Sequence, residues 1–150
     1  MAGTARCTGC ADGIDPPFPF TMAFQPIVDV AARSVWAHEA LVRGPSGERA
    51  PQVLGKVSAE NQYRFDQACR VKAIELAGRL LADEPEARVS INFMPNAVYE
   101  PAACIRTSLA AAARVGLATH RIVFEFSEAE RVADVGHVRR IVEAYRDMGF

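Results

Sequence analysis

Apolar residues, many of them β-branched or aromatic, predominate from Phe24 to Val30 and again from Ser34 to Arg43, which predicts two strands. The connection Asp29–Arg33 has hairpin length, so these strands are expected to be antiparallel neighbours. Gly44-Pro45-Ser46-Gly47-Glu48 interrupts the pattern as a loop, and Pro51–Val57 reads as a short helix. The spacing then becomes helical. Phe65, Ala68, Cys69, Val71, Ile74, Leu76, Ala77 and Leu80 lay apolar positions along Asn61–Leu81, with Pro85 just beyond. Arg88–Met94 is a short strand bounded by Pro95-Asn96, and Cys104–Val115 is an alanine-rich helix stopped by Gly116. Arg121–Ser127, rich in branched and aromatic residues, reads as a buried strand, and Val138, Ile141, Val142 and Tyr145 mark a last helix over Asp134–Met148. Strands alternating with helices predict an α/β fold with right-handed crossovers and a largely parallel sheet. Residues 1–19, carrying Pro16-Pro17 and Pro19, are an irregular lead-in, so the domain is expected over residues 20–150.

Side chains alternate faces along a strand, so Val35, Ala37, Glu39, Leu41 and Arg43 share one side of the second strand and Trp36, His38, Ala40 and Val42 the other. A carboxylate and a guanidinium thus interrupt an otherwise apolar face. Asn92 does the same in Ser90-Ile91-Asn92-Phe93, and Glu125 between Phe124 and Phe126. Ionised groups in such places are costly unless paired or bound to a metal. Ligands of α/β folds collect at the C-terminal ends of parallel strands, where all three residues fall, so Glu39, Asn92 and Glu125 are candidate oxygen ligands of a hard cation. The residues leave other readings open: Glu39 and Arg43 as a structural ion pair, Asn92 as a satisfied strand-end residue, and Glu128 beside Glu130 as loop or helix-start charge.

Composition narrows the classes. The chain has 150 residues, 50% hydrophobic and 23% charged, which excludes a disordered tail or a fibre. With 17 basic residues against 18 acidic ones there is no global positive field, so neither DNA nor RNA is an expected partner. The longest apolar run, Leu109–Ala113, falls far short of the roughly 20 residues that cross a bilayer, and no membrane insertion is expected. Met1-Ala2-Gly3-Thr4-Ala5-Arg6 lacks the apolar core of a signal peptide, which makes the cytoplasm the expected location. Cys7-Thr8-Gly9-Cys10 has the spacing of zinc and thiol redox pairs, but no second such pair completes a four-ligand site. The chain has no dinucleotide-binding glycine motif, no Walker loop and no nucleophile elbow.

Four motifs follow one another along the chain: Gln25-Pro26-Ile27-Val28-Asp29, Glu39-Ala40-Leu41-Val42-Arg43, Ser90-Ile91-Asn92-Phe93 and Phe124-Glu125-Phe126-Ser127-Glu128. In order and spacing they resemble the EAL domain, the bacterial phosphodiesterase of cyclic di-GMP, over about residues 20–150. Glu-Ala-Leu alone is a common tripeptide; the set, in register with the strand and helix order, is specific. The resemblance implies a modified TIM barrel whose first strand runs antiparallel, in agreement with the hairpin. It implies that Glu39, Asn92 and Glu125 hold the catalytic divalent metals, Mg²⁺ or Mn²⁺, with Glu39 and Glu125 as the catalytic carboxylates. Leu41 and Arg43 would contact the dinucleotide, the guanidinium on a phosphate, and Gln25 and Pro26 would border it. Glu128 matches a glutamate that anchors a downstream loop, and Asp66 a helix aspartate of structural role.

The implied reaction is metal-dependent hydrolysis of cyclic di-GMP to linear pGpG. Gly149-Phe150 stands just before the strand where the family carries Asp-Asp-Phe-Gly, and a TIM barrel takes about 250 residues. The resemblance therefore implies the N-terminal half of the barrel, needing the other half, with its metal-binding aspartates and lysine, for turnover. The alternative expectation is a non-catalytic module that binds cyclic di-GMP or a protein partner. A half-barrel exposes two sheet edges and an apolar interior, which favours a homodimer.

Overall fold

Strand β1 (Thr21–Asp29) turns back along β2 (Ser34–Arg43) through a turn in which Asp29 Oδ1 accepts the Ala32 amide at 2.9 Å. The computed structural model describes residues 16–98, 100–126, 131–132 and 134–150. As expected, β1 and β2 are antiparallel, with Gln25 opposite Glu39 and Thr21 opposite Arg43. The strand begins earlier than the expected Phe24, because Thr21, Met22 and Ala23 complete the ladder along Leu41–Arg43.

Helices α1 (Ala50–Leu54) and α2 (Gln62–Leu80) carry the chain to β3 (Arg88–Phe93). Beyond β3 come a short 3₁₀ turn at Pro95–Ala97, α3 (Pro101–Cys104) and α4 (Arg106–Val115), then β4 (Ile122–Phe126) and α5 (Val135–Asp147). Helix α1 ends at Leu54, three residues before the expected Val57, with Gly55 as its cap, after which the chain continues as single turns. The alanine-rich segment starts earlier than Cys104 because Pro101 suits a first helical position, and Ile105 links its two pieces. Gly116, at φ 66°, closes α4 in the left-handed conformation that glycine adopts without penalty.

The sheet order is β1-β2-β3-β4, with β2, β3 and β4 parallel, so β1 and β4 are its edges among the described residues. One face is dry. Ala40, Val89, Ile91 and Ile122 pack there against Ala73, Ile74 and Ala77 of α2 and Ala111 and Ala112 of α4. The small residues let the two helices lie close to the sheet, and Gly78 lets α2 approach Val115 of α4. Phe93 continues this layer into a second cluster with Val98, Cys104, Ile105, Ile141 and Tyr145. Phe18, within the expected lead-in, and Phe20 both pack on Phe65 with ring centroids 5.2 Å apart. Among the described residues no helix is long and apolar enough to cross a membrane.

Candidate functional site

Register decides which polar side chains share a face. Gln25 stands opposite Glu39, Glu39 opposite Ser90, and Asn92 opposite Glu125. Since partners across a ladder point the same way, Gln25, Glu39, Ser90, Asn92 and Glu125 lie on the side away from the helices. Glu39, Asn92 and Glu125 are half-buried there, in the C-terminal halves of three adjacent parallel strands. Two hydrogen bonds fix the constellation. Asn92 Nδ2 donates to Glu39 Oε1 at 2.9 Å, and the hydroxyl of fully buried Ser90 donates to Glu125 Oε1.

This geometry leaves an oxygen-rich surface. The Asn92 amide hydrogen is spent on Glu39, so the atom it can offer a cation is its carbonyl oxygen. Two carboxylates and a carbonyl are hard donors, suited to Mg²⁺, Mn²⁺ or Ca²⁺ and not to metals that seek thiolate or imidazole. The donor set fits such an ion, and the rest of its coordination shell, usually about six oxygens, would come from water or a ligand. Among the described residues no three His, Cys, Asp or Glu side chains cluster, so the amide is what completes this set.

The other expected contacts surround it unevenly. Gln25 is exposed on the Glu39 face, whereas Pro26 pairs with His38 and points to the opposite one. Leu41 is half-buried and lines a cleft of about 250 Å³ together with Asn92, Met94, Phe65, Asp66 and Cys69. Arg43 makes no ion pair with Glu39; its Nη1 donates to the Val42 carbonyl at 2.8 Å. The physical reason is length, since four residues along a strand separate the Cα atoms by about 13 Å. Glu128, like Glu130, Cys7 and Cys10, lies outside the described residues.

Two supporting groups go beyond the sequence reading, which gave Ser90 no role and Asp66 only a structural one by resemblance. Ser90 had a signal: a hydroxyl two residues before Asn92 must share its face. The second is Asp66 with Arg70, an ion pair at 3.0 Å whose side chains are 6% and 1% exposed, on the face of α2 that packs inward. Asp66 Oδ1 also accepts the Met94 amide at 2.9 Å. Next to this pair, burial pushes the Cys69 thiol up, and the Asp66 charge adds to the effect.

A parallel sheet with helices on one face and oxygen donors at the C-terminal strand ends defines an α/β, barrel-type architecture with its site at the strand ends. The family model of the EAL domain matches residues 19–150, and the chain belongs to that family. A standalone versatile EAL protein from Vibrio cholerae O395, solved in a c-di-GMP-bound form, is 52% identical with a TM-score of 0.80 over 89% of this chain and 55% of that one. Klebsiella pneumoniae BlrP1, solved as a manganese/cy-diGMP complex, is 28% identical with a TM-score of 0.77, over 90% of this chain and 34% of that one. At 16% identity the Xanthomonas citri FimX EAL domain shares the fold, with a TM-score of 0.70 over 86% of this chain and 51% of that one. The chain thus spans about half the length of the Vibrio protein and a third of the Klebsiella one. No curated protein sequence matches it.

Proposed function

We propose that this chain is part of a bacterial, cytoplasmic phosphodiesterase module that binds cyclic di-GMP and cleaves it to linear pGpG with Mg²⁺ or Mn²⁺. The observation that carries the reading is the convergence of Glu39, Asn92 and Glu125 on one face at adjacent strand ends. Membership of the EAL family and the cyclic di-GMP complexes of its similar structures support the choice of ligand. Glu39, Asn92 and Glu125 would hold the cation, which when bound supplies Lewis-acid charge neutralisation and hydroxide at neutral pH.

The remaining roles belong to the chain's own side chains. Ser90 holds Glu125 by its hydroxyl, and Asn92 holds Glu39, so both carboxylates are oriented before a ligand arrives. Arg43 would leave the Val42 carbonyl for a phosphate oxygen, a stronger, charge-assisted acceptor. Leu41 offers apolar contact at the cleft, Gln25 borders the ligand on the β1 side while Pro26 faces away from it, and Glu128 would anchor the loop that follows β4.

A second reading, binding without turnover, is favoured by one count. Among the described residues the proposed site brings together three candidate ligands, Glu39, Asn92 and Glu125, whereas a two-metal hydrolysis needs ligands for both ions. Calorimetry with cyclic di-GMP, with and without Mn²⁺, followed by product chromatography, separates the readings. Metal-dependent binding with pGpG released supports the phosphodiesterase, binding with intact ligand supports the module, and no binding by the wild-type chain rejects both.

A further inference from the structure

The two ladders that flank β3 do not end together. Its pairing with β2 stops at Ile91 opposite Ala40, while its pairing with β4 continues through Asn92 and Phe93. Asn92, which must reach across to Glu39, therefore stands where β3 has already left β2. What holds the strand on its helix side is Asp66. Its Oδ1 accepts the Met94 amide at 2.9 Å, two residues beyond Asn92, and its Oδ2 meets Arg70 Nη2 at 3.0 Å.

We propose that Asp66 is a positioning residue for the site: by gripping the Met94 amide it fixes the end of β3 and so the point from which Asn92 reaches Glu39. The inference rests on the functional reading only for its metal-binding consequence. A carboxylate is a better grip than a neutral acceptor, because a charge-assisted hydrogen bond is shorter and about twice as strong. Arg70 keeps the charge in place: with both side chains nearly dry, an unpaired carboxylate would take up a proton instead. Met94 has extended dihedrals and leads directly into the Pro95–Ala97 turn, so its amide is the last backbone donor before the chain turns away. Asp66, Met94 and Asn92 all line the cleft beside Leu41.

Removing Asp66 alone would strand Arg70, so the test replaces the pair. Exchange of a buried ion pair for apolar side chains is often neutral for stability. Asp66→Leu with Arg70→Met is expected to melt close to wild type, to shift the Asn92 side-chain amide resonances of the metal-free chain, and to weaken Mn²⁺ binding by about tenfold or more. Asp66→Asn with Arg70→Met retains an oxygen for the Met94 amide and is expected to restore both readouts to within about threefold of wild type. A folded Leu/Met variant with unchanged Asn92 resonances and Mn²⁺ affinity overturns the proposal. If that variant does not fold, hydrogen exchange on the wild-type chain decides: the Met94 amide must be protected about a hundredfold or more, and exchange at the rate of an open loop overturns the grip. A wild-type chain that takes up no Mn²⁺ rejects the functional reading, and the Asn92 resonances still test the positioning.

Discussion

Asn92 and Glu39, 53 residues apart in sequence, meet through a 2.9 Å hydrogen bond from the amide of one to the carboxylate of the other. The contact crosses from β3 to β2 at the point where their ladder has just ended. It gives Asn92 a role that aspartate could not fill, because a carboxylate has no N–H to donate and would repel Glu39. Asn92→Asp is therefore expected to lower the unfolding free energy of the metal-free chain by about 1–3 kcal/mol. Added Mn²⁺ should recover more stability in this variant than in wild type, since three carboxylates bind the ion more strongly than two. Melting curves with and without Mn²⁺ check both statements; an unperturbed metal-free melt would show that the hydrogen bond contributes nothing.

Ser90 is fully buried and donates to Glu125. Ser90→Ala removes that donor from a half-buried carboxylate, at an expected cost of about 1–3 kcal/mol. Urea denaturation measures it. Ser90→Thr, which keeps the hydroxyl, should lose less if its extra methyl fits, and an alanine variant as stable as wild type would remove Ser90 from the support of the site.

These contacts show where sequence was informative and where it stopped. Alternation along β2, β3 and β4 placed Glu39, Asn92 and Glu125 on the site face because a strand's side-chain period is fixed at two. Hairpin length did the same for the antiparallel start. Cross-strand register is different: that Glu39 stands opposite Ser90 and not Asn92 depends on the whole packing of α2 against the sheet. Ser90 was invisible as a site support for that reason, Asp66 was legible only as the structural helix aspartate that the family resemblance implies, and Arg43 took a local carbonyl where strand spacing forbids the short-range partner. Helical periodicity along α2 also missed that Asp66 and Arg70 face inward, because paired charges can occupy an apolar stripe.

Arg121 closes the far end of the sheet. Its guanidinium donates to the carbonyls of Ala87 at 2.7 Å, Glu84 at 2.8 Å and Leu81 at 3.2 Å, tying the start of β4 to the α2–β3 connection. Lysine cannot reproduce a fork with three acceptors. Arg121→Lys is expected to cost about 1–2 kcal/mol and Arg121→Met about 2–3 kcal/mol, read as a graded fall in the urea midpoint. A lysine variant with the wild-type midpoint would mean that the fork's geometry plays no part, and equal midpoints for the two variants would mean that charge alone rescues nothing.

The contact between α2 and α4 depends on one missing side chain. A Cβ added at Gly78 would overlap Val115, although glycine is otherwise unfavourable inside a helix. Gly78→Ala thus gains helix propensity and loses fit, with a net expected cost of about 1–3 kcal/mol. In the double variant Gly78→Ala with Val115→Gly no side-chain atom of residue 115 is left to overlap, so the two effects should be less than additive by about 1 kcal/mol. Strict additivity would place the strain elsewhere.

Alkaline pH should unfold the chain through two buried acids. Burial pushes the Tyr145 phenol from its ordinary value of 10.0 up to about 12, against a lowering effect of the nearby Arg70 charge, and burial raises the Cys69 thiol as well. Both groups are held protonated by folding, so their contribution is complete below the unfolded values and disappears as pH rises through the folded ones. For Tyr145 the window runs from 10.0 to about 12, and about 2–3 kcal/mol is at stake. Loss for Cys69 begins lower, above its ordinary 9.0. Tyr145→Phe, which cannot ionise, should therefore show a shallower fall in melting temperature between pH 10 and pH 12 than wild type. Cys69 in the folded chain should also react with iodoacetamide more slowly than in the urea-unfolded chain, because the thiolate is the nucleophile and folding suppresses it. Parallel alkaline limbs in wild type and Tyr145→Phe would show that the phenol does not set the high-pH limit.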